Sequence, residues 1–405
     1  MLSWDETPAL SPMRCARAWV DINLAALEHN VRSLKALLPP NCDLMSVVKA
    51  DAYGHGAVTV AKTALQSGAT WLGVATVPEG IELRQSGLTA PILVMGAVND
   101  PAEVLAIAQW QLQPTIVNPK QALIFSETLS RAALKKQDNV SISVHLKLDT
   151  GMSRLGFSWK QAAELARFVQ QLTHLETVSI YSHLATADSP DPTVMRLQHE
   201  RFETAIAALA RENLLPPRLH FANTAATLSV AHKLHYDMVR VGLGTYGLYP
   251  APHLAASVIL KPVLEVRARI THIKPIQAGD GVSYGHQFIA NQDMRIAIVG
   301  IGYADGVPRV LSNHLEVVVN GQRVRQIGAI TMDQLMLDVS HLKNVQEGDI
   351  VTLLGQAGKH ILSADRWAEL ADTISWEILC GFKHRLPRIL SSGVETDAIT
   401  LNASS

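Results

Sequence analysis

LMSVVKADAYGHGAVTVAKTALQSGATWLGVA, residues 44–75, sets the pattern from which the fold is read. Two short apolar runs, 44–49 and 71–75, flank residues 57–67, whose spacing and Ala, Leu and Gln content predict a helix. The alternation continues outward. Further apolar, β-branched runs fall at 92–96, 113–117, 142–148, 177–183, 218–222 and 237–243, with helical stretches at 102–111, 119–135, 159–172 and 196–213. Eight such units in about 250 residues is the rhythm of a TIM (β/α)8 barrel, and continuously apolar strands suit a parallel sheet covered by helices. A doubly wound open α/β sheet is the second reading.

After about residue 260 the rhythm becomes β, with alternating segments at 263–273, 294–301, 315–319, 323–330, 334–339 and 349–354. Asn320-Gly321 predicts a two-residue hairpin, because both central positions of that turn favour positive φ. Gly279-Asp280-Gly281 and Gly348-Asp349 read as further turns. The expected organisation is a barrel domain over 1–259, its first stretch packing on the β-domain, and a mainly antiparallel β-domain over 260–405, with a proline-punctuated boundary at Pro250–Pro262.

Lys plus Arg number 35 against 36 Asp plus Glu, a net charge of −1, so no basic surface serves a nucleic-acid backbone. Asp5 and Glu6 stand where a secretory signal needs a basic start. Apolar stretches such as 92–98 and 296–301 fall short of the roughly 20 residues that span a bilayer. A cytoplasmic protein without a membrane partner is expected. Cys15, Cys42 and Cys380 are far apart and lack metal-ligand spacing, so they read as buried thiols with neither a disulfide framework nor a metal site.

Chemistry in a TIM barrel occurs at the carboxyl ends of the strands, and polar residues collect there. Strand one ends in Lys49; strand five carries Lys147 and leads to Asp149 and Arg154. Ser182-His183, Asn223-Thr224 and Arg240 end strands six, seven and eight. On position alone Lys49 reads first as a strand-end lysine whose ammonium reaches water, and second as a partly desolvated amine poised to react with a carbonyl. His183 alone reads as a satisfied core histidine. Arg240, on an apolar strand, needs a partner or a ligand. Gly242 and Gly244 leave backbone amides uncovered after strand eight, where barrels of this kind commonly hold phosphate.

VVKADAYGHG around Lys49 resembles the cofactor-lysine segment of the alanine racemases. The likeness extends through HLKLDTGMSRLGF (145–157), SHLATAD (182–188), HFANTAAT (220–227), MVRVGLGTYG (238–247), VSYG (282–285), IGYADGVPR (301–309), MDQ (332–334) and LPRI (386–389), in the family's order. The resemblance implies a fold-type III barrel that binds pyridoxal 5′-phosphate, a carboxy-terminal β-domain, and a homodimer with shared active sites. It implies racemisation of alanine, supplying D-alanine for peptidoglycan. Lys49 would carry the cofactor and act as one base, with Tyr284 from the other subunit as the opposing base. Tyr53, Asn223, Thr224, Gly242, Leu243 and the position of Trp376 would hold the cofactor, Arg240 would bond its pyridine nitrogen, and His183 would support Arg240. Arg154 and the main chain of Met332 would meet the substrate carboxylate. Lys147, often carbamylated in the family, would orient Arg154. Asp333 shares the MDQ segment, and Tyr303, Asp188, Arg309 and His220 match residues near the entrance and the catalytic tyrosine.

Some positions depart from the family pattern. Trp376 stands where a tyrosine is common, and an indole donates only one hydrogen bond. Ala329 stands where an entrance arginine is common, and Thr331 replaces the frequent cysteine or serine before Met332. A non-catalytic PLP carrier would lack residues 260–395, and the SHLATAD, MVRVGLGTYG and MDQ segments favour a racemase over a decarboxylase.

Overall fold

The computed structural model describes residues 16–136, 141–229 and 232–391; Cys15 and the amino-terminal stretch lie outside them. The chain divides into two compact units. A barrel unit comprises residues 27–52 and 56–261, and a β unit comprises the described residues up to Ala26, residues 53–55 and those from Pro262 onward.

Strand β1 (Ala18–Asn23) belongs to the β unit. The barrel strands are β2 (Asp43–Val47), β3 (Trp71–Val74), β4 (Ile92–Ala97), β5 (Gln113–Ile116) and β6 (Ile142–Asp149). They continue, past a two-residue strand β7 (Phe157–Ser158) beside β6, as β8 (Leu175–Tyr181), β9 (Arg218–His220) and β10 (Met238–Val241). The barrel neighbours pair in parallel; β10 pairs with β2 and β5 with β6, which closes the ring. The open-sheet alternative is thereby excluded.

The helices form where the spacing predicts. In Ala57–Gln66 the buried Ala57, Val60, Ala61 and Ala64 recur at three and four residues, giving one apolar stripe. Fully burying Val60 contributes about 1.5–3 kcal/mol, so a charge there would unseat the helix. Helix Val77–Gln85, which the spacing did not reveal, begins after Thr76 with Pro78 in its first turn. Met45, Trp71, Leu93, Tyr181 and Met238 pack into one cluster of the barrel.

In the β unit the sheet contains β1, β11 (Leu264–Ile276), β14 (Met294–Val299), β15 (Glu316–Val319), β16 (Gln322–Ile327) and β17 (Leu335–Asp338). It is completed by β18 (Ile350–Ala357), β19 (His360–Leu362) and β20 (Arg388–Ser391); β12 (Gly281–Val282) and β13 (Phe288–Ile289) form a separate ladder. Pairing is antiparallel except where β1 meets β20. Asn320 (φ 48°) and Gly321 (φ 72°) form the predicted turn between β15 and β16, with Val319 opposite Gln322. Ile276, Val282, Met294, Ile296 and Met336 are among its core residues.

Candidate active site

Strand β2 stops at Val47, and Lys49 opens a turn of opposite hand: φ is 54° at Ala50, 53° at Asp51, 52° at Ala52 and 54° at Tyr53. Left-handed backbone costs roughly 1–2 kcal/mol per non-glycine residue, so a run of this kind persists only where surrounding bonds fix it. Ala50 N–H donates to Glu79 Oε1 at 2.7 Å, and Ala52 N–H to the Val48 carbonyl at 2.9 Å. Ala57 N–H donates to Asp51 Oδ1 at 2.8 Å. Glu79 is a residue the sequence reading missed, although Thr76-x-x-Glu79 has the spacing of a helix-start capping box.

Around this turn the barrel unit gathers cations. Lys147 on β6 is buried, and its ammonium lies 5.2 Å from the centre of the Tyr181 ring. Burial, with Arg240, Arg154 and Lys49 as neighbouring cations, lowers its pKa to about 8, against the opposing pull of Asp149. Arg240 on β10 is buried, stands 5.1 Å from the same ring, and is pushed down by burial to about 10. Its guanidinium donates to the Ser182 carbonyl at 2.7 Å and reaches Nδ1 of His183 at 3.3 Å and Nδ1 of His220 at 3.1 Å. Both histidines are held well below their ordinary pKa by burial and then by Arg240, so they accept as neutral rings. His220 is fully buried, in contact with Arg240.

His183 is placed by Gln198, whose Nε2 donates to its carbonyl at 3.0 Å. Asp149 shapes the loop to exposed Arg154 by accepting from Gly151 N–H (2.9 Å) and Ser153 N–H (3.1 Å). Asn223 caps helix Thr224–Leu228 through Ala226 N–H at 3.1 Å. Thr224 Oγ1 accepts from Gly242 N–H at 3.2 Å and Gly244 N–H at 3.4 Å, and Leu243 begins the next short helix. The structure thus brings Lys49, Lys147, Arg154, Arg240, His183 and His220 into one electrostatic neighbourhood. Asp188 is exposed on the loop after His183.

The remaining candidates lie in the β unit. Tyr284 is 72% exposed and Met332 53% exposed, while Tyr303 is also exposed. Ser283 enters the Tyr284 turn at φ 63° and donates its hydroxyl to the carbonyl of buried Ala329 at 2.7 Å. Met332 accepts Ala304 N–H at 3.0 Å, and the neighbouring Thr331 carbonyl accepts Tyr303 N–H at 3.0 Å. Asp333 binds Arg385 at 2.6 Å, and Arg385 also approaches buried Asp305, itself paired with Arg17. Arg309 is exposed. Trp376 is half-buried in helix Ser375–Gly381, and Tyr53, which clusters with this unit, has its phenol pushed up to about 12 by burial and then Cys380.

The class the structure defines is that of a closed (β/α)8 barrel, with Lys49, Lys147 and Arg240 at or near the carboxyl ends of its strands, joined in the chain to an antiparallel β unit. Residues 22–250 match the family described as alanine racemase, N-terminal domain, and residues 263–390 match alanine racemase, C-terminal domain. The chain belongs to the alanine racemase family. It is 64% identical to the alanine racemase of Nostoc sp. over 92% of this chain and 95% of that protein. Identity to the Synechocystis sp. alanine racemase is 59%, over 92% and 99% of the two chains. The crystal structure of alanine racemase from D-cycloserine-producing Streptomyces lavendulae superimposes with a TM-score of 0.86 at 34% identity, covering 96% of this chain and 99% of that one.

Proposed function

We propose that this chain is an alanine racemase that interconverts L- and D-alanine, with pyridoxal 5′-phosphate held covalently by Lys49. The observation that carries the reading is the gathering of Lys49, Lys147, Arg154 and Arg240 around one buried neighbourhood. Among them Lys49 is the amine for a carbonyl, Arg240 a donor for a ring nitrogen and Arg154 a partner for a substrate carboxylate. When bound, pyridoxal phosphate supplies the electron sink that makes the Cα–H bond acidic.

Tyr53, Thr224, Gly242 and Leu243 would hold the phosphate, with Asn223 and the position of Trp376 also on the cofactor. Arg240, braced by His183 and His220, would donate to the ring nitrogen. Lowered to about 10 by burial, Arg240 stays cationic near neutrality, so it would donate to the ring nitrogen without giving up its proton and would limit electron withdrawal into the ring. That disfavours transamination. Arg154 and the main chain of Met332 orient the substrate carboxylate. Lys147, at about 8, keeps a neutral fraction able to take up carbon dioxide, and the resulting carbamate orients Arg154.

Removing a proton from one face of Cα and returning one to the other needs two bases, because one group rarely reaches both faces. The Lys49 amine moves the proton on the D-alanine side and the Tyr284 phenol that on the L-alanine side. Tyr284 is contributed by the partner in a homodimer, with Tyr303, Asp188, Arg309 and His220 around the entrance and the catalytic tyrosine. The product serves peptidoglycan synthesis. Incubating the protein and pyridoxal phosphate with L-alanine, and with serine and other amino acids in parallel, tests the reading. D-alanine as the principal product is expected; racemisation of another amino acid in preference, or none, overturns it.

A further inference from the structure

We propose that Glu79 is a positioning residue for Lys49, acting through the main chain that follows the lysine. This rests on the reading of Lys49 as the cofactor lysine. Four consecutive non-glycine residues, Ala50 to Tyr53, hold φ between 52° and 54°. Their first amide, Ala50 N–H, is the peptide next to Lys49, and its proton goes to Glu79 Oε1 at 2.7 Å. The other oxygen, Oε2, accepts Ala75 N–H at 2.7 Å and Thr76 N–H at 3.1 Å.

One carboxylate therefore ties the turn after β2 to the end of β3, where the chain enters helix Val77–Gln85. Hydrogen bonds from amides to a carboxylate are shorter and stronger than those to neutral acceptors, which suits a joint that must resist unwinding. Ala52 N–H to Val48 and Gly56 N–H to Asp51 keep the rest of the turn, but neither reaches the Lys49–Ala50 peptide. Both Glu79 oxygens are engaged. A glutamine offers one acceptor and turns its amide donors toward the other N–H groups, and an aspartate is one methylene too short. Loss of this bond loosens the Lys49–Ala50 peptide and widens the range of positions the lysine amine visits, which slows reaction with a carbonyl held elsewhere in the site.

The test uses the full-length apoprotein of the wild type, Glu79→Gln, Glu79→Ala and Thr76→Ala. Pyridoxal phosphate is added, adducts are trapped with borohydride at timed intervals and mapped to peptides, and amide exchange over residues 49–56 is followed by mass spectrometry. Glu79→Ala should slow trapping on Lys49 and speed amide exchange over 49–54, each by about tenfold, the equivalent of one lost charge-assisted bond. Glu79→Gln, nearly isosteric, should fall between and remains informative if the alanine variant does not fold. Thr76→Ala, which removes the hydroxyl but keeps the Thr76 N–H that Glu79 Oε2 accepts, should keep both rates. Wild-type trapping and exchange in the glutamate variants, or equal losses in Thr76→Ala, overturn the proposal. Absence of a Lys49 adduct in the wild type instead removes the cofactor reading, and exchange alone then decides whether Glu79 holds the turn.

Discussion

Arg240 Nη1 lies 3.1 Å from Nδ1 of His220, and this contact fixes the direction of a hydrogen-bond chain across the barrel interior. Arginine can only donate, so Nδ1 of His220 accepts and its proton sits on Nε2. Nε2–H then donates to Ser179 Oγ at 2.9 Å. The Ser179 hydroxyl donates to Nδ1 of His145, whose Nε2–H donates to Gln113 Oε1 at 2.8 Å. Each member is satisfied, and each histidine is neutral in keeping with its lowered pKa.

Ser179→Ala breaks this chain in the middle, leaving His220 Nε2–H and His145 Nδ1 buried without that partner. A loss of about 1–3 kcal/mol in unfolding free energy is expected. Urea denaturation checks it; a loss below about 0.5 kcal/mol, the range of ordinary surface substitutions, contradicts the chain.

The same histidines make stability depend on pH. His145 is lowered to about 3, and His183 and His220 well below 6.5, all first by burial. Above about pH 6.5 both folded and unfolded states hold them neutral. Below it the unfolded chain binds protons that the folded chain refuses, so stability falls as pH drops, by up to about 1.4 kcal/mol per unit for each histidine. Denaturation midpoints should hold between about pH 7.5 and 6.5 and fall from there to about pH 5, less steeply in His145→Gln. A flat profile contradicts neutral burial.

Gly54 and Gly56 separate strain from crowding. Both have positive φ, 83° and 94°. A Cβ at Gly54 would lie 2.6 Å from the Leu379 carbonyl oxygen and 3.2 Å from that of Phe382, whereas one at Gly56 meets nothing within 4 Å. The Gly54 carbonyl also receives Arg388 Nη2 at 2.9 Å. Gly56→Ala should cost about 1 kcal/mol and Gly54→Ala clearly more, because backbone oxygens cannot move aside as a side chain can. Thermal melts that rank the two equally contradict the contact.

The eight barrel strands were legible because each is a short apolar run between helical stretches, and the Asn320-Gly321 hairpin because its residues demand that turn. Lys49, Lys147, His183 and Arg240 stood out as charge at apolar strand ends. The left-handed turn was not legible: Ala50, Ala52 and Tyr53 carry no signal for positive φ and a single Asp51 carries only a weak one, while bonds to Glu79 and Val48 hold the turn. Helix Val77–Gln85 was passed over because Pro78 and Gly80 interrupt its pattern, and Glu79 was hidden with it. His145 and Ser179 sit inside apolar strands, and only the closed ring reveals that they face one another.

The proposed sharing of sites between two copies of the chain predicts complementation. Mixing Lys49→Ala with Tyr284→Phe should restore part of the activity, because a hybrid dimer carries one site with both bases. Subunit exchange shown by mass, without returning activity, contradicts the shared site.

The most direct measurement follows the α-proton in deuterated water with Tyr284→Phe, since Lys49 and Tyr284 are assigned to opposite faces. The variant should keep a borohydride-reducible adduct on Lys49 and lose racemisation by about 10²- to 10⁴-fold, the usual contribution of a general acid–base group. It should still exchange the α-proton of D-alanine, with retained configuration, faster than that of L-alanine. Equal residual exchange from the two enantiomers, or racemisation at the wild-type rate, contradicts the two-base account.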